Sequence, residues 1–536
     1  MKARLCILAA AAILAACDKP AQTTAAVAPA AAPASAAASV PQDAAHVAGI
    51  AWKQAASDAD VDAAFAQART DRKPVFVYWG AKWCPPCNQV KATLFNRMDF
   101  IERSRAFVPV YIDGDSPGAQ KLGTRFKVRG YPTMVLFNAD GVELTRLPGE
   151  VDAAQYTQVL TLGMNAQRPV KAVLADARSG GAGLTPNDWK LLAFYSWETD
   201  EQQVVPKDET PAMLRQLAAA CPADQAETAT RLLLKAVAAS ADKPQPQGVP
   251  DAKTRERVLA VLADTNASRA HMDVLTNNAS DLVRALSAPK SRERTQLVDA
   301  FNASLKTLEA DASLSRADRI TALEARVELA KLDKGQPSDA LLADVREHAA
   351  RVDREITDGY ERQAVITAAA YTLAEAGLAK ESDDLLKANL AKSHSPYYLM
   401  SELAANAKKR GDKAEALRWS QEAFDASEGP ATRLQWGASY LNALVELAPQ
   451  DERRIEATAA KLFDEAAAQP NAFYERSARS MQRVGSKLAQ WNKGAAHAAT
   501  MKRLQTRLTG VCEKLPADDG QRTVCDGLLS APTKTS

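Results

Sequence analysis

The unbroken apolar run Val75-Phe76-Val77-Tyr78-Trp79, introduced by Lys73-Pro74, has the pattern of a strand buried on both faces, because a half-buried strand would alternate with polar residues. Ahead of it, Asp58 to Asp71 carries apolar residues at helical spacing and predicts an amphipathic helix. A helical stretch from Asn88 to Arg105 leads into a second strand, Phe107 to Asp113. Met134–Phe137 and Val142–Leu147 then pair as a hairpin across Asn138-Ala139-Asp140-Gly141, a turn with glycine at its end. Asp152 to Asn165 is a closing helix. Beyond about Pro169 the pattern changes: no alternating strand is found, and the glycines and prolines fall mostly between apolar-periodic segments, so that region is all-α. Thr185-Pro186-Asn187-Asp188 is a helix start with a capping side chain, proline at the first helical position and an acid in the first turn. Trp189, Leu192, Ala193 and Trp197 follow as one stripe, a core face in preference to a ligand box. The run Lys243-Pro244-Gln245-Pro246-Gln247-Gly248-Val249-Pro250 interrupts the helices and divides them into 169–240 and 251–536.

At 536 residues the chain exceeds one domain. Its charges nearly cancel, with 67 Lys and Arg against 65 Asp and Glu, so nothing marks a nucleic-acid surface. The five histidines, His46, His271, His348, His394 and His497, form no pair at metal-ligand spacing, which argues against a metal centre; no cofactor is implied. The N-terminus is an address: Lys2 and Arg4 precede the short apolar run Leu5 to Leu14, which ends in Leu14-Ala15-Ala16-Cys17. An ordinary cleaved signal peptide would also read this way. The run resembles the bacterial lipoprotein signal, which implies cleavage after residue 16, lipid on Cys17 and a stable membrane anchor; Asp18 after that cysteine slightly favours the inner membrane. Residues 17–48, rich in Ala, Pro, Ser and Thr, cannot repay their ordering entropy and form a tether. Everything after the tether is then expected on the periplasmic side of the cell envelope.

The first strand runs straight into Gly80-Ala81-Lys82-Trp83-Cys84-Pro85-Pro86-Cys87, and the hairpin is led by Val128-Arg129-Gly130-Tyr131-Pro132-Thr133. A lone CxxC is also half of a zinc site. Strand, CxxC, helix, strand, helix, proline-led hairpin and helix over residues 49–168 resemble the thioredoxin fold, and the Trp-Cys-Pro-Pro-Cys run resembles the active site of envelope disulfide interchange proteins. The resemblance implies that Cys84 is the nucleophile and Cys87 the resolving thiol, with no cofactor. Cys84 at a helix start gains from the unsatisfied N–H groups and the macrodipole, and is expected to be the more exposed and reactive of the two. Pro85 and Pro86 remove amide donors and restrict the loop. Pro132, if cis, turns the Tyr131 backbone toward the sulfurs, where it pairs with an extended substrate strand. Lys82 either lowers the thiolate pKa or is a solvated surface lysine. Tyr78 stands where many relatives carry an acid for the proton of the resolving thiol, so either another proton path exists, through water or another group, or the exchange is slow.

Gly377 and Gly411 are 34 residues apart, as are Pro396 and Pro430, the tetratricopeptide period. Leu403, Ala404, Ala407, Gly411, Ala416 and Ala423 resemble that family's packing positions; about two units fit, and generic helical hairpins are the alternative. Cys512 and Cys525 are expected to pair as a structural disulfide, leaving Cys221 as a buried thiol or a second partner for either. The fold class expected is multidomain: an α/β thioredoxin fold, then an all-α helical-repeat region. The function expected is thiol:disulfide exchange with protein substrates, a membrane-bound redox partner, and selection of partners by the helices. The alternative is a membrane-anchored adaptor whose thioredoxin fold is a recognition module. The direction of exchange is left open, since reductant, oxidant and isomerase share this motif.

Overall fold

Strand periodicity builds a sheet with two covered faces. The structure, a computed structural model, describes residues 49–149, 152–166, 168–200, 203–240 and 251–529. The signal, Cys17, the tether and the break at 243–250 lie outside the described residues. Five strands, β1 (Lys53–Gln54), β2 (Val75–Gly80), β3 (Val108–Asp113), β4 (Thr133–Phe137) and β5 (Glu143–Leu147), are arranged in the order β1-β3-β2-β4-β5. The pairs β1/β3 and β2/β3 are parallel, and β2/β4 and β4/β5 antiparallel. Phe76 and Tyr78 of β2 pack on one side with Tyr111, Met134 and Leu136; Val75, Val77 and Trp79 pack on the other with Val110, Ile112 and Val135. The first face is covered by α2 (Pro85–Thr93), α3 (Met98–Ser104) and α5 (Ala153–Met164), the second by α1 (Asp58–Asp71) and α4 (Ala119–Phe126). Both faces are dry, which explains the unbroken apolar run.

The stretch expected as one helix from Asn88 to Arg105 is two. After Thr93 the chain leaves the helix, and Arg97 is extended (φ −77°, ψ 133°) before α3 begins at Met98. In a straight helix Phe95 and Phe100 would lie on different flanks; the break brings their ring centroids to 5.2 Å inside the same core. Strand β1 and helix α4 carry little sequence signal: one has two residues, and the other holds Gly123 and Thr124 within eight.

Twenty further α-helices run from Val170 to Gly527. Buried Arg146 of β5 joins the sheet to them, donating to the carbonyls of Lys127 (3.1 Å) and Thr199 (3.0 Å) and pairing with Glu143 (2.8 Å). The Thr185–Asp188 capping box forms, and Trp189, Leu192 and Ala193 are core. The helices on either side of residues 241–250 share one apolar cluster, in which Leu234 and Val237 meet Val258 and Leu262. Two pairs of helix starts are 34 residues apart: Pro396 and Pro430 each open a helix, and Ala379 and Lys413 open the helices that precede them. Gly377 (φ +86°) and Gly411 (φ +82°) make the left-handed turns that let those hairpins close. Cys512 and Cys525 form a buried disulfide, and Cys221 is a buried free thiol. Among the described residues no helix is long and apolar enough to cross a membrane.

One buried ion pair ties the helical layers together. Arg231, in the helix Ala226–Ala238, binds both oxygens of Asp273 at 2.9 and 2.5 Å and donates to the Ala193 carbonyl at 3.2 Å. Burial pushes the Asp273 carboxyl up, but Arg231 beside it holds the group below its ordinary value. Its contribution to stability is therefore present above the unfolded carboxylate range near pH 4 and lost as the pH falls further. Arg231→Met leaves a buried carboxylate unpaired, a loss of about 3–5 kcal/mol. Denaturant unfolding should show it, with most of it recovered in Arg231→Met/Asp273→Leu; an unchanged single variant would contradict this role.

Candidate functional site: a dithiol seated beneath the helices

Strand β2 ends at Gly80, and the next turn delivers Cys84 to the N-cap of α2, with Pro85 and Pro86 as its first two residues. Cys84 Sγ accepts the Cys87 N–H at 3.2 Å, and the two cysteines form a disulfide. Pro85 and Pro86 carry no N–H, so the Cys87 N–H and the positive end of the helix are what stabilise negative charge on this N-cap sulfur. Asn88, fully buried one position on, fixes the loop by donating its amide to the carbonyls of Lys82 and Cys84, both at 2.8 Å. The Tyr131–Pro132 peptide is cis, and the Tyr131 ring stands 6.4 Å from Trp83. The Tyr131 hydroxyl accepts from Gln120 at 3.2 Å.

Exposure is where the expectation fails. Cys84 is 2% exposed, Cys87 0% and Trp83 7%, and all three belong to the same apolar cluster as Tyr397, Trp436 and Leu441 of the helical region. The greater exposure expected of Cys84 is absent because the helices lie across the loop. Trp83 stacks on Tyr398 (6.0 Å, 17°) and meets Trp436 edge-on (4.9 Å, 70°). Its indole N–H donates to the Thr432 hydroxyl at 2.8 Å. That hydroxyl donates in turn to Asp115 at 2.6 Å, and the Thr432 N–H reaches the other Asp115 oxygen at 2.8 Å. Gly429, at φ +91°, allows this approach: a Cβ there would stand 2.4 Å from the Asp115 carboxyl carbon. The Arg476 guanidinium lies 4.9 Å over Trp83 and 4.7 Å over Tyr131, so both rings beside the cysteines are engaged by the chain itself. Arg479 adds a bond to the Arg129 carbonyl at 2.9 Å.

Charge at the site is arranged around this cover. Lys82 is engaged by Glu428 at 3.5 Å, a half-exposed contact of small energy. Tyr78 is buried and stacked on Tyr111 at 5.3 Å; burial and the nearby Asp113 raise its pKa far above the ordinary phenol value, so it holds its proton. Asp115 is raised to about 7 by burial and by Asp113, against the opposing pull of Thr432 and Arg476. Asn88, Asp115, Gln120, Thr432 and Arg476 all escaped the sequence reading. Asp115 and Gln120 lie close to the motif only through β3 and α4, and Thr432 and Arg476 are more than three hundred residues away in the chain. No periodicity reports such pairings.

Residues 61–163 match a family model described as a thioredoxin-like domain. The thiol:disulfide interchange protein DsbD 1 of Pseudomonas aeruginosa is 31% identical over 113 residues, 20% of this chain and 19% of that protein. A thioredoxin-like protein of Synechocystis sp. is 36% identical over 88 residues, 16% of this chain and 79% of that protein. A thioredoxin of Acidithiobacillus ferridurans is 33% identical over 89 residues, 16% of this chain and 77% of that protein. The chain thus spans about a fifth of the length of the interchange proteins that it matches.

Thr432→Val keeps the side-chain shape but leaves the Trp83 indole and the Asp115 carboxylate short of a partner, at about 1–3 kcal/mol for each group. After reduction, Cys84 of this variant should alkylate roughly tenfold faster than in the unaltered protein, because the cover opens more often. Mass spectrometry after timed quenching measures this; an unchanged rate would show that the Thr432 contacts do not hold the cover shut.

Proposed function

Because the chain belongs to the thioredoxin family through residues 61–163, we propose that it is a thiol:disulfide oxidoreductase acting on protein partners, with Cys84 as nucleophile and Cys87 as resolving thiol. The observation that carries this reading is the bonded Cys84–Cys87 pair at the start of α2, beside the cis Pro132 loop. In the reducing direction the Cys84 thiolate attacks one sulfur of the partner's disulfide, and the other partner sulfur leaves as a thiolate that takes up a proton. Cys87 then attacks Cys84 within the mixed disulfide, and the second partner thiol departs. Two electrons and two protons pass to the partner, and the Cys84–Cys87 disulfide remains. The oxidising direction is the reverse, and the potential of the pair decides between them.

Pro85 and Pro86 limit the conformations of the loop in both redox states. Trp83, Tyr131 and Pro132 line its other side, and Lys82 and Tyr78 support it from the adjoining turn and strand. The helical region, with its 34-residue spacing, is a tetratricopeptide-like surface that selects the partner. Cys17 is lipidated after loss of residues 1–16, which anchors the protein at the envelope membrane, facing the periplasm, within reach of a membrane-bound redox partner. The name of the Pseudomonas relative, a thiol:disulfide interchange protein, agrees with the exchange reading. The burial of Cys84 gives weight to a second reading, in which the thioredoxin fold is a recognition module for a helical adaptor.

Trapping distinguishes the two. Cys87→Ala should accumulate mixed disulfides between Cys84 and partner proteins, seen as bands that disappear on reduction, whereas Cys84→Ala should accumulate none. Trapping by Cys84→Ala alone would reverse the roles, and trapping by neither would favour the adaptor. For the anchor, Cys17→Ser should move the protein from the membrane fraction to the soluble fraction; unchanged partition would remove the lipid assignment.

A further inference from the structure

The cover over the dithiol leaves part of the motif open. Within the motif Pro86 is exposed and Pro85 half-buried, although the flanking cysteines are not. Both prolines, with Gln89, form one wall of a cleft of about 340 Å³. The other walls come from four helices of the helical region: Met272–Asn277, Arg316–Ala330, Gly359–Glu375 and Pro396–Lys409. The cleft adjoins the site, because Tyr398, which lines it, is the residue stacked on Trp83. Its size suits a few side chains of an extended segment and excludes a folded domain.

Its chemistry is one-sided. Asp318, Glu324 and Glu402 line it, and among its described lining residues there is no Lys, Arg or His. Asp318 is fixed by bonds from Gln89 (3.1 Å) and Ser315 (2.7 Å), which also tie α2 to the opposite wall. Burial raises the pKa of Glu324 to about 7 and lifts that of Glu402; the neighbouring Glu328 and Glu375 add to the rise at Glu324. Such carboxylates gain most when a cation arrives from outside. Tyr371, 40% exposed and one of three exposed large apolar side chains among the described residues, offers a ring at the same wall.

We propose that this cleft is the port through which a protein partner reaches Cys84, and that it takes an extended segment in which a basic residue stands beside the cysteine to be exchanged. This rests on the thiol-exchange reading above and names the substrate class for that site. The partner's sulfur bonds to Cys84 while its former partner sulfur leaves as a thiol, and the basic side chain occupies the acidic wall without taking part in the electron transfer.

The test uses the full-length reduced protein and three synthetic disulfide peptides that differ only in flanking residues: lysine, serine or glutamate. At low salt the lysine peptide should be reduced about tenfold faster than the glutamate peptide, and the ratio should approach one at about 0.5 M salt. The ratio should also collapse in Glu324→Gln/Glu402→Gln. Thr321→Lys, which puts a cation into the same cleft, should lower it too and guards against misfolding of the double variant. Binding of a fluorescent lysine peptide without cysteine, followed by anisotropy, reads the cleft without any thiol step. Equal rates for lysine and glutamate peptides, or a ratio that survives both variants, would overturn the port while leaving thiol exchange intact. Glutamate-dependent binding of the lysine peptide with no reduction of any disulfide would instead remove the exchange reading and retain the cleft as a site for basic segments.

Discussion

The seat of Trp83 in the helical region is the contact on which the rest of the arrangement depends. Its ring is held by Tyr398, Trp436 and Arg476, and its one polar atom is satisfied by Thr432, which also carries the load of buried Asp115. An aromatic side chain of this size removes 150–250 Å² from water, roughly, and its N–H would be costly to leave bare. The two halves of the chain therefore meet where the chemistry is. A free thioredoxin domain would show this tryptophan to its partners; here it serves as an internal joint, and Cys84 and Cys87 are buried with it.

The joint also arranges the charges around the dithiol. Tyr78 is sealed and proton-holding, so it offers no base. In the Asp113–Asp115 turn at the end of β3, burial raises Asp115, and Thr432 and Arg476 of the helical region pull it back. Thr432 therefore acts on both the joint and Asp115. Pro85 and Pro86 of the motif also face a cleft lined by Asp318, Glu324 and Glu402.

What could be read from the sequence was what is local. The β2 run, the Cys84–Cys87 motif, the Asn138–Gly141 turn and the capping box at Thr185 are each settled by neighbours within a few residues, and the structure places them in the expected elements. The spacing of Gly377 and Gly411 was legible because a left-handed turn after a helix favours glycine. The break after Thr93 was not, because local helix propensity favours continuity and only the core contact of Phe95 with Phe100 opposes it. The cover was not legible either: Thr432, Trp436 and Arg476 read as ordinary helical residues, and their meaning comes from residues more than three hundred positions earlier.

The central claim is that the buried Cys84–Cys87 pair is the reacting couple and Cys512–Cys525 a structural one. Equilibrating the full-length protein in a series of thiol buffers, quenching with an alkylating agent and counting labels on each cysteine by mass spectrometry tests it directly. Cys84 and Cys87 should become labelled together, as a single two-electron step with a midpoint between about −270 and −120 mV, while Cys512 and Cys525 stay bonded to more reducing potentials. Labelling of Cys512 and Cys525 first, or of both pairs at one midpoint, would contradict the account.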